Sequence, residues 1–139
     1  MFLLYRIFTS LLYPVFVLII CLRCFINKED KKRFIEKFFV SNIDIPKDKK
    51  IYWIHAASIG EINSVIPIIK EINKTDSKIF ILLTSSTLSS SQLVKKEISN
   101  LHRFKHLFFP IDVQFLVKKF LTYWKPNLII FVESEIWPN

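Results

Sequence analysis

The chain has 139 residues, of which 51% are hydrophobic, with 14 Phe, a single Gly and a formal net charge of +8. That length suits one compact domain. A lone glycine (Gly60) excludes a Gly-rich cofactor loop, because such loops need several residues of unrestricted backbone. The charge is uneven: residues 1–50 carry ten Lys/Arg against five Asp/Glu, residues 51–100 five against four, and residues 101–139 five against three. An excess of cations beside an apolar N-terminus points to an anionic membrane surface as partner. Nucleic acid would require basic residues interleaved with aromatics along the chain, and the later part is close to neutral.

Ile7 to Ile26 reads IFTSLLYPVFVLIICLRCFI, about the length of a bilayer core, interrupted by Thr9, Ser10, Pro14 and Arg23. Residues 1–27 are therefore expected to form a membrane-anchor helix, either spanning or lying in the inner leaflet. Lys28, Lys31, Lys32, Arg33 and Lys37 follow it, which by the positive-inside bias keeps the rest of the chain on the cytoplasmic face of the inner membrane. Cys21 and Cys24 read as two small apolar residues of that helix, with no second pair or nearby His to make a metal or redox site. In residues 28–50, Phe34, Ile35, Phe38 and Phe39 fall at helical spacing and predict an amphipathic helix, followed by a polar linker. The helix would pack either on the domain or on the membrane surface.

From residue 51 the pattern alternates. Continuous apolar runs at 51–55, 79–83, 107–109 and 128–132 read as buried strands, and 61–73, 88–98 and 113–124 as helices. Pro67 inside the first of these helices should bend it, and Asp112 is expected to cap the last. Strands alternating with helices imply an α/β, Rossmann-like parallel sheet over residues 51–139. Ligands in such sheets bind beyond the carboxyl ends of the strands. Ser58, Gly60, Glu61, the hydroxyl-rich run Thr84 to Thr87, Asp112, Glu133 and Glu135 all fall there. The three His are scattered and no acidic cluster has ligand spacing, so no metal and no cofactor is expected.

Two stretches carry more. His55-Ala56-Ala57-Ser58-Ile59-Gly60-Glu61 follows a hydrophobic strand. Pro110-Ile111-Asp112, Phe120-Leu121 and Trp124-x-Pro126 lead to Glu133-Ser134-Glu135-Ile136-Trp137-Pro138-Asn139. In order, and behind an apolar segment and a Lys28-Glu29-Asp30…Arg33-Phe34 stretch, these resemble the signatures of 3-deoxy-D-manno-octulosonic acid (Kdo) transferases over nearly the whole chain. The run Thr84 to Ser90 keeps the hydroxyls of the family's Thr-rich loop but lacks its Gly.

The resemblance implies an inverting glycosyltransferase of GT-B architecture that moves Kdo from CMP-Kdo to a lipid A precursor (lipid IVA) in lipopolysaccharide core biosynthesis. Residues 1–139 would supply the acceptor-binding half. The donor-binding domain would lie outside them, so this piece alone is expected to be inactive. By resemblance Glu61 is the proton acceptor, with Ser58, Gly60, Glu133 and Glu135 supporting the acceptor site. Lys31, Lys32 and Arg33 are loose candidates for the lipid's phosphates. On the residues alone, Glu61 reads first as an acid favoured at a helix start, and His55 as a hydrogen-bonded core histidine. The competing readings are a non-catalytic, membrane-tethered lipid-binding module and a vestigial gene fragment.

Overall fold

A computed structural model describes residues 2–38 and 43–133. Two helices open the chain, α1 (Phe2–Leu11) and α2 (Tyr13–Phe25), followed by a short 3-10 helix (Phe34–Phe38). Then come β1 (Lys50–His55), α3 (Ile59–Thr75), β2 (Ile79–Ser85), α4 (Leu88–Ile98), β3 (Phe104–Phe108), α5 (Gln114–Trp124) and β4 (Leu128–Phe131). The four strands form one parallel sheet in the order β3-β2-β1-β4. Trp53 of β1 lies opposite Leu82 of β2 on one side and Ile129 of β4 on the other. The expected α/β, Rossmann-like layer is thus present.

Alternation along β1 divides the core into two. Ile54, with Ile81 and Leu83 of β2, packs under Ile62, Val65, Ile66 and Ile69 of α3 and Val94 and Ile98 of α4. Ile51 and Trp53, with Phe80, Leu82 and Leu107, pack against Phe120 and Trp124 of α5 on the opposite face. This is the three-layer solution for a parallel sheet whose central strands are apolar on both sides. α3 continues through Pro67. The carbonyl that loses its donor there is that of Asn63, and both residues are exposed, so water can replace the missing bond.

The N-terminal 27 residues do not form one helix. Pro14 has no N–H to donate to the carbonyl of Ser10, and α1 and α2 meet at an angle of 47° around Leu12. Among the described residues no single helix is long and apolar enough to cross a membrane; only the bent pair passes by length and composition.

The amphipathic α-helix expected over residues 28–39 is also replaced. Asp30 Oδ1 accepts from the N–H groups of Lys32 (2.9 Å) and Arg33 (3.0 Å), making a turn that leads into the 3-10 helix. Arg33 and Glu36 then pair on one side, Nε to Oε1 at 2.7 Å and Nη2 to Oε2 at 2.8 Å. Both side chains reach the outer edge of β3. Glu36 Oε2 accepts from Phe108 N (3.0 Å), and Arg33 Nη2 donates to the carbonyl of His106 (2.9 Å). Phe109 N and the carbonyl of Arg103 bond to β2, so His106 and Phe108 are the residues whose backbone groups point away from the sheet. The ion pair satisfies them as a neighbouring strand would. At the other side β4 leaves Leu128, Ile129 and Ile130 exposed.

Removing the guanidinium in Arg33→Met strands Glu36 and the His106 carbonyl on a half-buried edge. We expect a loss of about 2 kcal/mol, read as a lowered urea midpoint for the chain in detergent; an unchanged midpoint would mean that the pair does not hold this edge.

Candidate functional site at the carboxyl end of the sheet

The loops at the carboxyl ends of the strands are tied to one another. Ala56 N donates to the Thr84 carbonyl (3.0 Å), Phe109 N to the Ser85 carbonyl (2.9 Å) and Val132 N to the His55 carbonyl (3.1 Å). Ser90 Oγ, in the first turn of α4, donates to the Ala57 carbonyl (3.1 Å), while Thr87 caps that helix by accepting from Ser90 N (3.2 Å). The first turns of α3 and α4 are therefore held side by side.

Glu61 lies in the first turn of α3, where a capping box fixes it. Ser58 Oγ accepts from Glu61 N (3.3 Å), and the carboxylate accepts from Ala57 N (2.8 Å), Ser58 N (3.1 Å) and the Ser58 hydroxyl (2.5 Å). Burial raises the Glu61 pKa. The Ser58 hydroxyl, the two N–H groups and nearby His55 together outweigh it and hold the carboxyl below its ordinary 4.5. The reading of Glu61 as a first-turn acid therefore describes its resting geometry. A carboxylate so held is ionised at neutral pH and points one way, which suits a proton acceptor in position but costs it basicity.

Gly60 adopts no positive φ, and a Cβ built on it would meet only Ser58 Oγ, at 3.9 Å. The glycine is therefore not required by its backbone or by packing among the described residues. The space beside it is open at the start of α3, next to Glu61.

Behind the loop, the Thr84 hydroxyl lies 2.9 Å from both Trp53 Nε1, which donates to it, and His55 Nδ1. His55 is buried, with its ring against Phe109 at a centroid distance of 4.1 Å. Burial lowers its pKa, against the opposing pull of its hydrogen bond at Thr84 and of the Glu61 charge, so the ring is neutral at pH 7. His55 is the core histidine its position implied, and it supports the floor beneath Ala56.

The other expected site residues divide. Glu133 is exposed one residue beyond the Val132–His55 bond, which brings the β4 loop alongside that of β1. Glu135 lies outside the described residues, as does the Trp-Pro-Asn stretch. Lys31 and Lys32 are exposed. Arg33 instead turns inward: besides Glu36 it donates to Ser91 Oγ (3.1 Å), and its guanidinium lies 5.1 Å from the Phe108 ring centroid. It contacts His106 Nδ1 as well (3.1 Å), leaving Nε2 to donate to Ser85 Oγ (2.9 Å). Burial, with the charges of Arg33 and Lys105, pushes His106 down to about 3.

Asp112 does not cap α5. The N-cap position is Val113, with no side-chain cap, and Asp112 Oδ2 accepts from the Tyr5 hydroxyl at 2.6 Å. Lys37 was not singled out for the site. Its Nζ bridges the buried Glu29 carboxylate (2.8 Å) and the Ser86 carbonyl (3.4 Å), and its own carbonyl accepts from Ile111 N (2.9 Å). The signal was the neighbouring Lys28-Glu29-Asp30…Arg33-Phe34 stretch; Lys37 reaches Ser86 across 49 residues of sequence and Arg33 reaches Ser91 and His106 across 58 and 73.

The sequence profile of the 3-deoxy-D-manno-octulosonic-acid transferase (kdotransferase) family matches residues 24–139. The chain belongs to the Kdo transferase family. It is 36% identical to the 3-deoxy-D-manno-octulosonic acid transferase of Rickettsia bellii, over 98% of this chain and 32% of that protein. It is also 36% identical to a probable mitochondrial 3-deoxy-D-manno-octulosonic acid transferase of Arabidopsis thaliana, over 97% of this chain and 30% of that protein. With the Haemophilus influenzae transferase the identity is 30%, over 95% of this chain and 31% of that protein. The chain thus spans about a third of the length of these curated relatives. No solved structure matches it.

Two outcomes follow for this family member's loop. The Glu61 carboxyl, followed by NMR, should titrate with a midpoint below 4.5. By linkage it stabilises the fold above its unfolded value and loses that contribution as pH falls through the lowered one. A midpoint at or above 4.5 would mean the capping box is not kept in solution. Gly60→Ala should raise the thermal midpoint, since Ala is the better helix residue by about 1 kcal/mol and finds room; a fall would show hidden crowding at the start of α3.

Proposed function

We propose that this chain forms the acceptor-binding half of an inverting Kdo transferase of GT-B architecture. The enzyme moves Kdo from CMP-Kdo to a hydroxyl of a lipid A precursor (lipid IVA) in lipopolysaccharide core biosynthesis, at the cytoplasmic face of the inner membrane. The observation that carries this reading is the His55–Glu61 loop. It offers an ionised, oriented carboxylate beside an unfilled glycine at the end of the sheet where α/β domains bind ligands, in a chain that belongs to the family.

In the proposed step Glu61 takes the acceptor hydroxyl's proton as that oxygen bonds to the anomeric carbon of Kdo. The bond from that carbon to the CMP phosphate oxygen breaks, and CMP leaves with the electron pair. The acceptor sugar would sit against Gly60, where a Cβ would intrude, and would displace the Ser58 hydroxyl from Glu61. Losing that hydrogen bond and excluding water both raise the carboxylate's basicity toward what the transfer needs. Ser58, Glu133 and Glu135 would orient the acceptor. Lys31 and Lys32 would meet its phosphates, whereas Arg33 is committed to the β3 edge. Residues outside 1–139 would hold the nucleotide.

A second reading, a membrane-tethered lipid-binding module without catalysis, draws on one observation: Glu61 is fully engaged as a cap. Co-expression of residues 1–139 with a donor-binding half from a relative, assayed in membranes with CMP-Kdo and lipid IVA, separates the two. Transfer should appear only with both pieces and should fall roughly 100-fold or more in Glu61→Gln while acceptor binding persists. Gly60→Ala should weaken acceptor binding without loss of fold. No transfer from two folded, associated pieces would leave the binding module as the better account, and an active Glu61→Gln would remove Glu61 as the proton acceptor.

A further inference from the structure

We propose that α1 and α2 lie in the plane of a single leaflet of an anionic phospholipid bilayer, and that neither crosses it. This inference deepens the membrane reading above and does not depend on the transferase reaction.

The geometry of the two helices opposes a span. α2 has 13 residues and is about 20 Å long, against a hydrocarbon core of about 30 Å. α1 cannot supply the difference, because it is docked on the domain. It packs on α5, buries Thr9, and places the Tyr5 hydroxyl 2.6 Å from Asp112 Oδ2 on the loop that precedes α5. Tyr13 at the start of α2 is held edge-on between Phe38 and Phe115, at centroid distances of 6.3 and 5.1 Å. The bend at Leu12 is what lets both helices stay near the domain.

What this arrangement leaves outward is apolar. On α1, Leu4, Ile7, Phe8 and Leu11 are exposed, Leu11 to 75%; on α2 the exposure reaches 82% at Phe25. Phe115 of α5 and Ile35 of the 3-10 helix are exposed as well. Cations accompany this surface: Lys31 and Lys32 are exposed after α2, and Lys119 Nζ lies 5.9 Å from the Phe115 ring centroid.

Between α1 and α5 a cleft of about 440 Å³ is lined by Arg6, Ile7, Ser10, Leu11 and Gln114. Arg6 Nε is buried there without a hydrogen-bond partner. A cation with an unmet donor, in a cleft that also presents Ser10 and Gln114 beside Ile7 and Leu11, fits the phosphate of a lipid whose chains run along α1. An apolar face accompanied by cations is the chemistry of an in-plane anchor.

The test uses the full chain, carrying a protease-cleavable epitope ahead of Met1 and added to sealed vesicles of phosphatidylcholine alone or mixed with phosphatidylglycerol. Phosphatidylglycerol should strengthen co-sedimentation, and external protease should remove the epitope without detergent. Arg6→Gln should weaken binding to the mixed vesicles about fivefold, as expected for one surface cation worth about 1 kcal/mol, and leave binding to phosphatidylcholine unchanged. An epitope protected until detergent is added would overturn the in-plane seat while leaving membrane attachment intact. Binding indifferent to phosphatidylglycerol, or to Arg6→Gln, would overturn the anionic-lipid assignment. A chain that pairs with itself and ignores both vesicles would overturn the seat and the membrane reading together, without touching the transferase reading.

Discussion

The pairing of Arg33 with Glu36 is the contact on which the arrangement of the N-terminal part depends. A parallel sheet cannot end without leaving a row of backbone donors and acceptors along its last strand. Here one carboxylate and one guanidinium occupy the outward N–H of Phe108 and carbonyl of His106, and they reach that edge only because a 3-10 turn brings residues three apart onto the same side. Two of the edge's outward groups are satisfied, and in the same stroke the segment behind α2 is fastened to the sheet. Lys37 then bonds to the Ser86 carbonyl and receives Ile111 N, so the loops after β2 and β3 are braced by the stretch that follows the apolar helices.

That bracing links the N-terminal helices to the turn that carries Glu61. Glu29 is buried between Arg23, at the end of α2, and Lys37, which touches the hydroxyl-rich loop. The Ser90 hydroxyl carries the connection on to Ala57, at the base of the Glu61 turn. A short series of polar contacts therefore runs from the apolar N-terminal helices to the carboxylate. Burying charge this way is costly unless every member is paired, and each of these contacts has its partner within the segment or the loops.

Much of this was legible from residues. β1, β2 and β4 announce themselves because both faces of the strand are apolar or bounded by turns, and α4 is found at its expected limits. β3 begins earlier than its apolar run, since Lys105 interrupts the hydrophobic pattern while its backbone still pairs with Leu82. The failures share a cause. Arg33 and Asp112 each carry a strong local prior, for one face of an amphipathic helix and for a helix cap. Arg33 and Asp112 were decided by partners distant in sequence, His106 and Tyr5 respectively. The open space beside Gly60 is a further feature that no local pattern records. Glu61 is the converse case: its local reading as a cap was right about geometry, and only the motif around it pointed toward chemistry.

The strand order has a consequence for how the chain is made. Of the four described strands β1 is made before the others, yet it sits inside the sheet, with β2 on one side and β4 on the other. Its β4-facing edge stays open while everything from Ala56 to Phe131 is synthesised, roughly 4 to 15 s at about 5–20 residues per second. During that interval an apolar strand with unpaired backbone hangs beside a nascent N-terminus that is itself greasy. Capture of α1 and α2 by a surface, as in the leaflet seat proposed above, would keep the two apolar segments apart.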